Sequence, residues 1–258
     1  MRYTRVLLKI SGEALKGPAV PLDTAKLDYV TDEIIALYKK GIEVAVVVGG
    51  GNILRGSLGE KWGISPVDSD INGMLATIVN AGWISSIIEA KEPESVRKMV
   101  SISSSYCGEM YSPAKAKSYL KAGKIVVIGG GNGIALSTTD SAAIQRAVEL
   151  SANCVVMLKN GVDGIYTSDP RKDKDARRYA SISFDDFKKM PAGVMDETAA
   201  IIAEKYELPM HVVDFSQHGL LGEICEGEKD VGTYVGDCET RLYWVKNKSG
   251  KCFSTLVF

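Results

Sequence analysis

The chain has 258 residues, 45% hydrophobic and 24% charged, with a net charge of −1. That size and composition fit a globular enzyme with a sizeable core, and the mixed, near-neutral charge argues against a nucleic-acid-binding surface. Five scattered cysteines (Cys107, Cys154, Cys225, Cys238 and Cys252) form no C-x-x-C pair and have only His211 and His218 beside them, so neither a zinc site nor a disulfide framework is indicated and a reducing, cytoplasmic compartment is expected.

The first apolar run, Arg5–Ile10, reads as a strand with no signal-peptide character before it. Leu27, Val30, Ile34 and Leu37 follow at helical spacing, with Asp23 as N-cap and Gly41 as stop. Glu43–Val48 is nearly continuous in apolar residues, as a strand buried on both faces is, and runs into Gly49, Gly50, Gly51 and Asn52. A helix is expected over 70–90. A strand over 124–128 again ends in glycines, and a helix begins near Asp140. Next come a strand over 154–158, a turn-rich stretch over 160–170 and a charged loop over 171–178. A helix over 195–207, a strand over 210–214, a short helix near Leu220 and a small strand near Thr233 complete the pattern. No apolar run approaches the roughly 18 residues of a membrane helix, so no membrane partner is expected. Strands alternating with helices predict an α/β fold with a mostly parallel sheet. One domain is expected over 1–236, with 237–258 as an extension whose segments 240–246 and 252–258 read as a hairpin.

Two apolar strands that each end in three glycines point to phosphate binding. Ligands of open α/β sheets sit beyond the carboxyl ends of strands, where glycine lets backbone N–H groups approach an anion. Two tight turns are the bland alternative. The dinucleotide fingerprint is incomplete at both loops, since Leu54 and Ile134 stand where its last glycine belongs, and Gly12 with Gly17 has Walker spacing but Pro18 in place of lysine. Lys9 ends an apolar strand just before Ser11 and Gly12, and an ammonium there must reach water or an anion. Thr138, Thr139 and Asp140 form a helix-start signal that also places hydroxyls and a carboxylate beside the second glycine loop.

The segments Lys9-Ile-Ser-Gly-Glu-Ala-Leu15, Val48-Gly-Gly-Gly-Asn52 with Arg55, Gly73-Met-Leu-Ala-Thr77, Thr138-Thr-Asp-Ser-Ala-Ala143, Val162-Asp-Gly-Ile-Tyr166 with Asp169, and Val194-Met-Asp196 occur in that order. Together they resemble the bacterial-type UMP kinases of the amino-acid-kinase fold, across nearly the whole chain to about Gly236. The resemblance implies a three-layer α/β/α sandwich that moves a phosphoryl group from ATP to UMP in pyrimidine nucleotide biosynthesis. It implies ATP contacts from Lys9, Ile10, Ser11, Gly12, Gly51, Arg55, Asn160, Tyr166 and Asp169. It implies UMP contacts from Gly50, Asp70, Asn132, Gly133, Ile134, Ala135, Leu136, Ser137, Thr138 and Thr139. Lys9, Arg55 and Asp140 would be catalytic, with Mg²⁺ carried by ATP near Asp140 rather than held by a protein cage. A homohexamer, activation by GTP and inhibition by UTP are further implications. The chain departs from the family at 131–137, where Asn132 replaces a threonine and Ile134 an asparagine, in 63–67, which lacks a basic residue, and at Asn72, where methionine is common. An active UMP kinase, a kinase of the same fold with another acceptor, and a silent nucleotide-binding relative therefore remain three readings of the sequence.

Overall fold

The computed structural model describes residues 2–55, 57–103, 106–190, 196–214, 216, 218–227 and 231–243. β1 (Arg5–Ile10) leads through a 3-10 turn (Gly12–Leu15) to α1 (Thr24–Lys39), then β2 (Glu43–Val48). Asp23 caps α1 by accepting the Lys26 N–H, and Gly41 follows the helix in a left-handed conformation (φ 77°). Both are the start and stop read from the sequence. A short helix α2 (Ser57–Glu60) precedes α3 (Pro66–Lys91), followed by β3 (Val96–Val100), β4 (Glu109–Met110), α4 (Pro113–Lys121), β5 (Ile125–Gly129) and α5 (Thr139–Leu150). The rest is β6 (Cys154–Lys159), β7 (Tyr179–Ser183), α6 (Phe184–Lys188), α7 (Glu197–Lys205), β8 (Met210–Asp214), α8 (Leu220–Glu226), β9 (Thr233–Gly236) and β10 (Arg241–Leu242).

Among the described residues the strands form one sheet in the order β10-β7-β9-β8-β6-β1-β2-β5-β3-β4. Pairing is parallel except at β8–β9 and β10–β7. Strand alternation sorts the core into two layers. Val6, Leu8 and Ile10 pack with Val44, Val46 and Val48 under α1, α3 and α8. Leu7, Val47, Val126, Val155 and Met157 face the opposite way, under α4, α5 and α7. The three-layer α/β/α sandwich is therefore present.

Several elements differ from the sequence reading. α3 starts four residues earlier than expected, because Ser65 accepts the Asp68 N–H and Pro66 opens the helix. By length and composition alone α3 is able to cross a membrane, contrary to the expectation; it lies on the sheet instead, burying Ala76, Asn80, Ala81, Ile84 and Ile88. β3 was missed because Arg97 and Lys98 interrupt its apolar run, and α4 because it buries only Ala116 and Leu120. Arg241–Leu242, within the first segment of the expected hairpin, pairs antiparallel with β7. The second hairpin segment, 252–258, lies outside the described residues.

His211, at the start of β8, is 1% exposed, with the Tyr3 hydroxyl 3.3 Å from its Nε2. Burial, aided by Arg2, pushes its pKa down from 6.5 to about 4. Between those values the unfolded chain takes up a proton that the folded chain refuses, so stability falls as pH drops from 6.5 towards 4. The loss is about 3 kcal/mol by linkage. His211→Gln should flatten this part of the urea-midpoint-versus-pH curve; an equally steep acid decline in the variant would assign it to other groups.

Candidate active site

The site forms where β1, β2, β5 and β6 end together. Leu7 faces α5, so Lys9, two residues on, faces it too, at the level of that helix's first turn. There α5 delivers Asp140, whose Oδ1 lies 2.6 Å from Lys9 Nζ. The side chains of this pair are 9% and 14% exposed. By the same alternation Lys159, at the end of β6, points to this face and brings its Nζ to 3.8 Å from Asp140 Oδ2. Burial opposes ionisation of Asp140, but Lys9 and Lys159 outweigh it and hold its carboxyl below the ordinary value. Burial lowers the pKa of Lys159; Asp140 works against that and Lys9 adds to it. Two ammonium groups around one carboxylate leave an excess positive charge, which suits an anion better than a stabilising buried pair would.

The glycines divide into packing positions and open ones. A Cβ on Gly50 would lie 2.8 Å from Ala76 Cβ and 2.9 Å from the Gly73 carbonyl, so its missing side chain lets α3 approach. Gly12 is pressed against Asn52 and Gly49, and Gly129 against Ile78. Gly51 and Gly131 have open space where a Cβ would stand, with nothing nearer than 3.8 Å and 3.9 Å respectively. Packing thus excludes a side chain at Gly12, Gly50 and Gly129, whereas Gly51 and Gly131 have open space beside them for an anion. A buried amide pair supports the first loop: Asn80 donates to the Gly49 carbonyl (2.7 Å) and to Asn52 Oδ1 (2.7 Å), and Asn52 donates to the Pro21 carbonyl (2.9 Å).

The second loop is held at both ends. Gly130 N–H donates to the Thr77 hydroxyl (2.7 Å), and a Cβ on Gly133 would press on the Ser101 carbonyl. Thr138 caps α5 through the Ser141 N–H and donates its own hydroxyl to Asp196 (2.9 Å), which in turn caps α7. Between these ends Asn132 Nδ2 donates to Ser137 Oγ (2.6 Å), and Leu136, at φ 60°, donates its N–H to Asp70 Oδ2 (2.7 Å). Ile134 and Leu136 project into solvent, 64% and 75% exposed.

Beside the lysines opens a cavity of about 890 Å³ lined by Ser11, Lys159, Asn160, Tyr166, Asp169 and Arg171 among others. Tyr166 donates to Asp163 (2.6 Å), and Asp169 accepts the Arg171 N–H (3.0 Å). Arg55, 60% exposed, reaches across the mouth to Glu13 Oε1, 2.8 Å from its Nη2.

The structure thus gathers Lys9, Ser11, Arg55, Asn160, Tyr166 and Asp169 around one cavity or its lysine end. It gathers Asp70 with residues 131–139 around the second loop. Ile10 is different: its side chain is fully buried in the core and its carbonyl accepts the Gly49 N–H (2.8 Å). Lys159, Glu13, Asn80 and Asp196 had no role from sequence, although Glu13 and Asp196 fall within segments that carry the resemblance. Lys159 carried a signal, since it ends an apolar strand just as Lys9 does. Asn80, a lone amide on an apolar helix, carried none.

This arrangement of sheet ends, glycine loops and a lysine–carboxylate–lysine centre is that of a phosphoryl-transfer enzyme, a nucleotide-dependent kinase. The chain belongs to the amino acid kinase family, whose model matches residues 4–214. It is 39% identical over 228 residues to the uridylate kinase of Frankia alni, covering 88% of this chain and 89% of that protein. It is 37% identical over 238 residues to the uridylate kinase of Bifidobacterium adolescentis, covering 92% and 95%. The crystal structure of UMP kinase from Bacillus anthracis superposes with a TM-score of 0.91 at 39% identity, covering 95% of this chain and all of that one.

Proposed function

We propose that this chain transfers the γ-phosphoryl group of ATP to UMP, giving ADP and UDP in pyrimidine nucleotide biosynthesis. The observation that carries the reading is the Lys9–Asp140–Lys159 cluster set between two glycine loops. ATP takes the 890 Å³ cavity, its base against Tyr166, its ribose near Asp169 and its phosphates running past Ser11 and Gly51 towards Lys9. UMP takes the 131–139 loop, its phosphate near Gly50 and its ribose on Asp70. In this reading the ribose hydroxyl replaces the Leu136 N–H as partner of the Asp70 carboxylate.

The acceptor needs no general base. A phosphate monoester has its second pKa near ~6, so UMP presents a mostly dianionic oxygen at neutral pH. That oxygen forms a bond to the γ-phosphorus as the bond to the β-bridging oxygen breaks, and ADP leaves with the electron pair. Little covalent chemistry is left to the protein, which aligns two anions and neutralises the charge between them. Lys9 and Lys159 supply fixed positive charge, Asp140 holds both in place, and Arg55 moves from Glu13 to the transferring group. Among the described residues no three His, Cys, Asp or Glu side chains gather as a metal cage. A hydrated Mg²⁺ arriving with ATP would fit that donor set, with Asp140 as the carboxylate beside it. When bound it supplies further neutralisation of the phosphates.

A coupled ADP-release assay over UMP, CMP, dUMP, AMP and simple carboxylates tests the assignment. Turnover is expected with UMP far above the others; another preferred acceptor, or nucleotide binding without turnover, overturns it. GTP activation and UTP inhibition belong to the same reading and are checked by adding each nucleotide, unchanged rates excluding them.

Residues 1–236 are read as one catalytic domain with 237–258 appended; the single sheet supports the reading as one domain, and its edge strand β10 is supplied by the appended segment. The enzyme is placed in the cytoplasm, consistent with the free thiols of Cys107, Cys154, Cys225 and Cys238. Self-association, with a hexamer as the expected end state, is supported by α3. Val67, Ile71, Leu75, Val79 and Trp83 form a half-exposed stripe along it at four-residue spacing, and residues 71–88 contain no charge. A second copy of that uncharged stripe is the occupant it fits. Val79→Glu should lower the molar mass measured by light scattering; a wild type that runs as a monomer would remove the idea.

A further inference from the structure

Arg146 lies on α5 outside the cluster described above, and its side chain is 6% exposed. It is held on two sides. Its guanidinium lies 4.0 Å over the Tyr111 ring, and its Nη1 donates to Glu149 Oε2 (2.7 Å). Glu149 is fixed in turn by the Tyr111 hydroxyl (2.8 Å) and by Gln145 Nε2 (2.9 Å). The remaining Nη2 is aimed at the second glycine loop, donating to the Gly131 carbonyl (3.3 Å) and to Ser101 Oγ (3.1 Å). Ser101 Oγ donates to the same carbonyl (2.8 Å). Arg146 Nε is buried without a partner.

A buried guanidinium with an orphaned N–H is a poor means of gaining stability, because a well-packed apolar side chain usually does as well or better. What it provides here is direction. Gly131 is left-handed (φ 58°), and the peptide bonds among the described residues, including that from Gly131 to Asn132, are trans. Fixing the Gly131 carbonyl towards the buried arginine therefore turns the Asn132 N–H to the opposite side, away from the protein interior.

We propose that Arg146 is a positioning residue for the phosphoryl acceptor, presetting the backbone donors of the 131–137 loop by gripping the Gly131 carbonyl without touching the nucleotide. This rests on the assignment of that loop to UMP. Steady-state kinetics of Arg146→Met, Arg146→Lys and Ser101→Ala test it. Arg146→Met should raise KM for UMP on the order of 10- to 100-fold, the scale of a charge-assisted hydrogen bond. KM for ATP should stay within about twofold, and kcat should fall less than KM rises. Arg146→Lys, which keeps a donor but loses the fork, should fall between. Ser101→Ala should shift KM for UMP in the same direction by a smaller factor, and it decides the case if Arg146→Met does not fold. A merely structural arginine would raise both KM values together, or lower the melting temperature while leaving KM for UMP unchanged; either result overturns the proposal. An active wild type whose Arg146→Met and Ser101→Ala variants keep the parental KM for UMP defeats positioning alone. A wild type that ignores UMP defeats the underlying assignment, and this proposal with it.

Discussion

Lys9→Met is expected to fold like the parent and to lose on the order of 10²–10³ in kcat, the scale of removing one preorganised charge-stabilising donor. The Lys9 residue is 7% exposed, and methionine follows nearly the same aliphatic path, so the packing beside Leu7 and Met157 is kept. Asp140 is not left without a cation, because Lys159 remains 3.8 Å from its other oxygen. The fold is thereby spared the usual cost of breaking a buried pair. KM for ATP should rise less than kcat falls, since the lysine meets the phosphates most strongly while charge is moving between them. Single-turnover rates and thermal melts on the same preparation check both halves. Near-normal turnover in a folded variant removes Lys9 from the chemistry.

How much of this centre was legible beforehand follows from how far apart its parts lie in the chain. Lys9 and the two glycine runs announced themselves locally, because a cation at the end of an apolar strand and three consecutive glycines are each unusual within a few residues. That Lys9 meets Asp140 depends on α5 crossing the far face of the sheet, and no local pattern encodes that meeting. The resemblance carried it instead. Gly50 was read as a ligand position, and the structure adds a second reason for glycine there, the close approach of Ala76 and Gly73 of α3. Glycine in a sequence announces close approach without saying what approaches. Among the elements that went unseen, β3, α4 and β7 are half-buried or at the sheet margin, where short polar stretches such as Tyr179–Ser183 pair without an apolar period. Asn80 illustrates the last kind of silence: its whole significance lies in two acceptors, the Gly49 carbonyl and Asn52, that sequence spacing does not bring together.

Asp140→Asn should be nearly as damaging as the loss of Lys9, on the order of 10² in kcat, for a different reason. The amide keeps the shape of the carboxylate but removes the anion from between two ammonium groups. Lys159 is already lowered by burial, with Lys9 adding to that and Asp140 raising it. Without the anion, burial and like charge act unopposed, so Lys159 gives up its proton at a lower pH than in the parent. The neutral amine attracts the phosphates less. The alkaline limb of kcat/KM for ATP should therefore move to lower pH in the variant, on top of the fall in kcat. Profiles of both proteins from neutral to strongly alkaline pH provide the check. A displacement to higher pH, or an unmoved limb beneath a lowered plateau, would mean that Asp140 serves the lysines only as a spacer and that its charge does not govern the protonation of Lys159.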